Sequence, residues 1–527
     1  ILNQVSDTVA CRKWVDEQLR SMTLKQKIGQ LFIHTVAPVL SQRNKENIAA
    51  AIKEYGIGGL LFSGGDLKKQ VELTNLAQRQ SKIPLMITFD GEWGLAMRLK
   101  GTPSFPKNRV LGCISQDSLL YAYGSEVARQ LHEIGVQVNF APVADVDNNP
   151  DNPVINVRSF GSDPANVARK VIAYMRGLQD GGIVAVCKHF PGHGDTDVDS
   201  HKALPRLGFT RERLDSIELY PFRKAVEAGI SGVMVGHLDV PELGTEPASV
   251  SVDIVQNMLK HQLGFRGLVF TDALEMKGIS GREAVCAQAL IAGNDLLLAP
   301  RNLKKSMASV LEAVRKGKLT EEEITERCRK VLTYKYAMGL NKTPKITLEG
   351  LDSRLSTPET AQLTEALQRA SVTVAKDDSD WLPLDLSLSG NVLLSVSNSL
   401  SESYPLYKEL REKMSISWMR VGQDSLNVVE ERLRPAQRLI VALHTSKVAP
   451  YDEWLERLAV DKPLILICFE PQQVLEKLPK TLAKAAAVIV AHEETDRLQQ
   501  YVARVLLGKE AVSGRLSIAV SENLLAG

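Results

Sequence analysis

The chain has 527 residues and a mass of 57.9 kDa, which at roughly 100 to 200 residues per domain excludes one small module. Hydrophobic residues make up 44% and charged residues 24%, enough apolar surface for sizeable cores and too little charge excess for a disordered chain. With 64 Lys and Arg against 62 Asp and Glu, and a net charge of +2, no long-range field favours nucleic acid or an anionic membrane.

From about residue 25 to 340, short apolar segments alternate with longer amphipathic ones, the pattern of repeated βα units around a parallel sheet. Strands are expected at 29–34, 58–62, 85–90, 137–142, 183–189, 232–237, 268–272 and 295–298, with helical spacing at 163–179 and 302–316 between them. Eight such units predict a (β/α)8 barrel. Asp90, Lys188, His189, His237 and Asp272 all fall at the C-terminal ends of these strands, where barrel enzymes build their sites. A doubly wound open sheet would gather its ligand at one switch point instead.

After a helix at 320–339, a polar, Pro-dotted stretch reads as a linker, and a second alternating series follows. Strands at 392–396, 416–419, 439–443, 464–469 and 488–491, with helical spacing at 453–458, predict a three-layer α/β/α sandwich. The expected organisation is a catalytic barrel at 1–345, a linker at 346–380 and a smaller sandwich at 381–527. No Walker loop or GxGxxG fingerprint is present, which weakens nucleotide-dependent readings.

The six cysteines contain no CxxC pair, and Cys187 and Cys468 lie inside apolar runs, so neither disulfides nor a zinc knuckle is expected. No apolar stretch approaches the roughly 18 residues of a membrane span, and the first twenty residues are too polar for a signal peptide. A soluble chain is expected. It begins at Ile1 rather than Met, so its compartment, cytoplasmic or exported, stays open.

The segment KHFPGHGDTDVDSH at 188–201 holds three of the nine histidines and three aspartates. Pro191, Gly192 and Gly194 force a tight, irregular backbone, so these side chains are presented from a loop. Three readings fit it. His189, His193, Asp195, Asp197, Asp199 and His201 carry donors suited to zinc or iron, but no HExxH spacing or thiolate cluster accompanies them. A solvated polar turn is the second reading. The third is a catalytic dyad of Asp199 and His201, in which the carboxylate fixes the tautomer and the ring's other nitrogen moves a proton near neutral pH. Lys188 and His189 are adjacent strand residues that would face opposite ways, so both reach one ligand only where the strand breaks, at Pro191 and Gly192. Asp272 ends the apolar strand LVFTD, where an unpaired buried carboxylate is costly, so it must meet a partner, a substrate or the cap of the next helix. Asp90 has the same position, with Arg98 as a possible ion-pair partner, and a strand-end His237 is as often a satisfied core residue as a ligand.

The chain resembles glycoside hydrolase family 3, in its NagZ-like β-N-acetylglucosaminidase branch. The resemblance rests on KHFPGHGDTDVDSH at 188–201, ITFDGEWGLAMRL at 87–99, NFAPVADV at 139–146, RSFG at 158–161, VFTDALEMKGI at 269–279 and AGNDLLL at 292–298. It spans the whole barrel and is only architectural beyond it. It implies Asp272 as nucleophile, Asp199 and His201 as an Asp-His acid/base pair, and Asp90, Arg98, Arg158, Lys188, His189, His237 and Met276 as sugar-binding residues. Family members often read D-x-E-G-G after the third strand. Here DGEWG interrupts that pattern, and Trp93 offers a stacking face at the rim.

The implied activity is a retaining exo-β-N-acetylhexosaminidase acting on terminal β-linked N-acetylglucosamine, in peptidoglycan fragments or related glycans. It needs no cofactor or metal, and its partner is a small carbohydrate. The alternatives are a phosphorylase of the same family, a β-glucosidase and a catalytically silent glycan-binding protein.

Overall fold

The computed structural model describes residues 1–199, 202–282, 284–397, 399, 404–422 and 426–527. Eight parallel strands follow in order: β1 (Phe32–Val36), β2 (Gly59–Phe62), β3 (Met86–Phe89), β4 (Val138–Asn139), β5 (Val184–Phe190), β6 (Gly232–Val235), β7 (Leu268–Thr271) and β8 (Leu297–Leu298). They pair as β7-β6-β5-β4-β3-β2-β1-β8. A parallel bridge from Phe270 to Leu296, with the Thr271 amide donating to the Leu296 carbonyl at 3.0 Å, brings β7 back to β8 and completes the expected (β/α)8 barrel. Every residue of β2, β3, β5, β6 and β7 is buried. Strands covered on both faces read as unbroken apolar runs rather than alternating ones, which is why they stand out in the sequence.

The first strand lies later than its expected range of 29–34. Thr23 and Gln26 form a capping box that opens the helix Leu24–Gly29, so the apolar run starts helical and turns to strand only at Phe32. A side chain at Gly29 would overlap the Tyr55 carbonyl oxygen, so glycine permits that close approach. The last strand is shorter than expected: the successive amides of Asp295 and Leu296 both donate to the Val269 carbonyl, at 2.8 and 3.0 Å, so regular pairing begins only at Leu297.

Two compact units divide the chain: Ile1–Phe105, Leu120–Ser159 and Pro164–Ala361 form one, and Pro106–Leu119, Phe160–Asp163 and Gln362–Gly527 form the other. The short segments 106–119 and 160–163, expected within the barrel domain, thus group with the second unit, where Ser517 donates to the Arg109 carbonyl at 2.7 Å and accepts the Ser162 amide at 2.9 Å. The stretch 346–380, expected as a linker, is folded into the helices Leu351–Leu355 and Pro358–Ser371 and the strand β9 (Thr373–Asp377).

The second unit holds β9 with β10 (Asn391–Val396), β11 (Ile416–Val421), β12 (Arg438–Leu443), β13 (Leu464–Cys468) and β14 (Ala487–Val490), ordered β11-β10-β12-β13-β14-β9. All pairs are parallel except β14 with β9. Alternate strand residues feed two cores: Leu394, Val441, Leu466 and Val488 on one face, Leu393, Ile440, Ile465 and Ile489 on the other. This is the three-layer sandwich expected. Among the described residues no helix is long and apolar enough to cross a membrane, and all six cysteines are buried and unpaired.

Candidate active site

The C-terminal ends of β3, β4, β5, β6 and β7 present charged residues to one another. Asp90 follows β3, and its two carboxylate oxygens are shared between Lys188 Nζ and Arg98 Nη2, each at 3.0 Å. The same Lys188 Nζ reaches Glu92 Oε1 at 2.8 Å. Arg158, beyond β4, closes a two-pronged pair on Glu92, with Nε to Oε2 at 2.9 Å and Nη2 to Oε1 at 2.7 Å. Charge-assisted, bidentate contacts of this kind fix geometry as well as energy. Burial alone would raise the Glu92 carboxyl, but Arg158 and Lys188 hold it well below the usual carboxylate range. Burial likewise works against the Lys188 ammonium, yet Asp90 and Glu92 keep its pKa raised.

His189 is set by a second carboxylate. Its Nδ1 donates to Asp145 Oδ2 at 2.7 Å, and Asp145 Oδ1 accepts the backbone amides of His189 at 3.1 Å and His193 at 2.8 Å. Arg158 Nη2 lies 3.4 Å from His189 Nε2. A guanidinium only donates, so Nε2 is the acceptor and the proton sits on Nδ1. Lys188 and His189 therefore both face the network. The pairing of β5 with β6 shifts register between Cys187 and Phe190, and there the alternation of strand side chains is broken.

Asp272, at the end of β7, accepts its neighbour's amide, Ala273 N to Oδ1, at 2.7 Å. The Ala273 carbonyl receives His237 Nε2 at 2.9 Å, and His237 Nδ1 takes the Ser249 hydroxyl at 2.8 Å. His237 is thus engaged at both nitrogens within the barrel and braces the peptide that holds Asp272. Burial pushes the Asp272 carboxyl up, but His189, His237, the Ala273 amide and Lys188 leave its pKa lowered. Met276 is 7% exposed in the turn that follows.

The loop after β5 is shaped by glycine and asparagine. A Cβ at Gly194 would overlap the Val146 carbonyl oxygen, and Asn152 Nδ2 donates to the carbonyls of His193 at 2.8 Å and Gly194 at 2.9 Å, tying this loop to the one after β4. His193 bonds Thr196 through Nδ1 at 2.8 Å, and burial lowers its pKa to about 4. Asp195 pairs with Arg213 at 2.7 Å, and Arg213 also pairs with Glu218 at 3.0 Å. Asp197 is exposed. The Asp199 carbonyl accepts the amides of Lys202 at 2.8 Å and Ala203 at 3.0 Å. His201 lies outside the described residues. Among the described residues no group of three or more His, Cys, Asp and Glu side chains is gathered as a metal ion would need.

The structure thus gathers Asp90, Arg98, Arg158, Lys188 and His189 into one bonded network, with His237 supporting Asp272. Sequence reasoning missed Glu92 and Asp145, the carboxylates at its centre, although both lie in motifs already singled out, DGEWG and NFAPVADV. Their signal is charge inside an otherwise buried run: Glu92 and Asp145 are both 0% exposed, and a buried carboxylate requires partners.

Residues 23–334 match the model of the glycosyl hydrolase family 3 N-terminal domain. The chain is 30% identical to β-hexosaminidase A of Pseudoalteromonas piscicida over 369 residues, 63% of this chain and 61% of that protein. It is 35% identical to β-hexosaminidase LpqI of Mycobacterium tuberculosis over 332 residues, 59% of this chain and 82% of the relative. A solved family 3 β-N-acetylglucosaminidase from a Paenibacillus species matches with a TM-score of 0.74 at 30% identity, covering 95% of this chain and 99% of that one.

Proposed function

The chain belongs to glycosyl hydrolase family 3, and we propose that it is a retaining exo-β-N-acetylhexosaminidase that removes terminal β-linked N-acetylglucosamine from peptidoglycan fragments or related glycans. The observation that carries this reading is Asp272: a strand-end carboxylate with lowered pKa, lying beside a network whose other carboxylates, Asp90, Glu92 and Asp145, are each tied to a cation or imidazole. An ionised group of this kind suits nucleophilic attack on the anomeric carbon.

In the first step Asp272 forms a bond to that carbon, the glycosidic C–O bond breaks, and His201 gives its proton to the departing oxygen. In the second, water loses a proton to His201 and displaces Asp272, so the sugar leaves with its original configuration. Asp199 orients the His201 ring. Lys188, Asp90, Arg98 and Arg158 bind sugar hydroxyls, because together they offer both cationic donors and carboxylate acceptors on a rigid frame. His189, held as the Nδ1-protonated tautomer by Asp145, stands beside them.

Two measurements test this. Proton NMR of early product should show the β-anomer of N-acetylglucosamine. Asp272→Ala should lose turnover and regain part of it with azide, yielding an α-glycosyl azide. Near wild-type turnover in that variant would remove Asp272 from the role, and sugar-1-phosphate formed in phosphate buffer would make the enzyme a phosphorylase.

A further inference from the structure

The opposite end of the barrel carries a cavity that the reaction does not use. Its volume is about 430 Å³, and it lies where the chain enters β2 and β3. The helix Leu24–Gly29 bounds one side, and the C-terminal ends of the helices Gln42–Tyr55 and Leu67–Gln80 bound the others. Barrel enzymes work at the C-terminal ends of their strands, so a group held at this floor does not meet Asp272 or the network around Lys188.

The inner wall is apolar: Ile52, Ile57 and Ile83 are buried and Met22 is half-buried. Gln30 completes it. Its Nε2 donates to the Gly56 carbonyl at 2.9 Å, and its Oε1 accepts Lys335 Nζ at 2.7 Å. Lys335 is fully buried, and its other acceptor is the Pro84 carbonyl at 2.8 Å. An ammonium carries three donors, and both of these partners are neutral. A buried cation without a carboxylate is costly, and this one stands a single amide group behind the cavity wall.

The mouth is cationic. Lys25, Lys53 and Lys82 line it and are exposed, and among the described residues none of the three meets a carboxylate. Glu54 is the one acidic side chain among the described lining residues. Lys53 and Lys82 stand at the carbonyl ends of their helices, each end worth about half a negative charge, so part of their charge is offset there. Lys25 lies in the first turn of its helix, the end where a cation is disfavoured, and its ammonium is 5.5 Å from the centre of the Tyr55 ring. Three lysines at the mouth, against one carboxylate and two helix ends, leave the cavity net positive. Positive charge around an apolar wall suits a compact body that carries acidic groups on one side. Lysine ammonium groups act as point charges rather than as a planar fork, so they select the charge of those groups more than their shape.

We propose that the floor of the barrel is a binding site for a small organic dianion, with Lys25, Lys53 and Lys82 holding its acidic groups and Ile52, Ile57 and Ile83 covering its apolar body. The site rests on the barrel floor alone and does not depend on the activity proposed above.

Calorimetric titration of the full chain with isophthalate and with phenyl phosphate tests it, one probe offering two carboxylates and the other a phosphate monoester on the same apolar ring. At least one of them should bind saturably, and the tighter of the two identifies the acid. Benzoate, with a single charge, and inorganic sulfate, without the ring, should each bind at least about tenfold more weakly, as loss of one charge-assisted contact or of the buried ring predicts. Lys25→Gln combined with Lys82→Gln changes two exposed side chains, so the fold should be kept. It should weaken the tighter probe by a similar factor and leave aryl-glycoside hydrolysis unchanged. No saturable binding of either probe overturns the proposal. So does unchanged affinity in the double variant, which would put the anion elsewhere, or sulfate binding as tightly as the ring-bearing probes, which would reduce the cavity to a patch of charge. Lysine-dependent binding in a chain that cleaves no glycoside would sink the activity proposed above and leave this site standing.

Discussion

Glu92 sets the charge balance of the candidate site. It is fully buried, and it is bonded to both Lys188 and Arg158. Replacing it with Gln keeps the shape but leaves two cations short of their counter-charge. Breaking a buried pair in this way costs about 3 to 5 kcal/mol, so Glu92→Gln should lower the urea midpoint of the barrel's unfolding as well as kcat/KM. A variant with wild-type stability would show that water or Asp90 already compensates the cations. The proton donor is tested separately. General acid catalysis contributes about 10² to 10⁴-fold, and more for a poor leaving group. His201→Ala should therefore form its glycosyl-enzyme readily from a dinitrophenyl glycoside and poorly from a natural disaccharide. Equal losses on both would make His201 a binding residue. At this scale the sequence is a partial guide. Asp272, Lys188 and His189 announce themselves as charge at strand ends, whereas Glu92 depends on partners 66 and 96 positions away, Arg158 and Lys188, a contact that no local pattern encodes.

Among the elements, the loop after β5 is the most constrained. Asn152 grips the His193 and Gly194 carbonyls, Asp145 grips the His193 amide, and Gly194 passes too close to Val146 for any side chain. Gly194→Ala must push the loop away from β4, moving Asp199 and its neighbours while leaving the barrel strands in place. Its kcat/KM should fall by about tenfold or more, since misplacement by about an ångström at a site is worth up to 10²-fold, while far-UV circular dichroism stays unchanged. Unaltered kinetics would show that the loop adjusts without disturbing the site. The strands around this loop were readable because both of their faces are buried. β9 escaped the same reading: Thr373–Asp377 buries only its first residue fully and ends in Lys and Asp, so its strand character comes from antiparallel pairing with β14 rather than from an apolar run. β1 was displaced for the opposite reason, because an apolar run continued from a helix into a strand.

At the scale of the whole barrel, the final helix is anchored by a buried cation. Lys335 lies in the helix Glu321–Ala337, is 0% exposed, and donates to Gln30 Oε1 at 2.7 Å and to the Pro84 carbonyl at 2.8 Å, both on the floor where β1 and β3 begin. Both of these acceptors are neutral, and burial lowers its pKa from 10.5 to about 7. A base whose folded pKa is depressed binds fewer protons in the folded state than in the unfolded one between those two values, so this group makes the barrel more stable as pH rises through that window and contributes a constant penalty below it. Lys335→Met removes the titration. It also leaves two acceptors without their donor, a loss that does not vary with pH. Urea unfolding at pH 7.5, 8.5 and 9.5 separates the two effects. The stability of the variant relative to wild type should fall with rising pH by up to about 1.4 kcal/mol per unit, with the variant at its relative best near neutrality. Parallel stability curves across that range would mean that Lys335 stays protonated in the fold, held by its two acceptors despite burial.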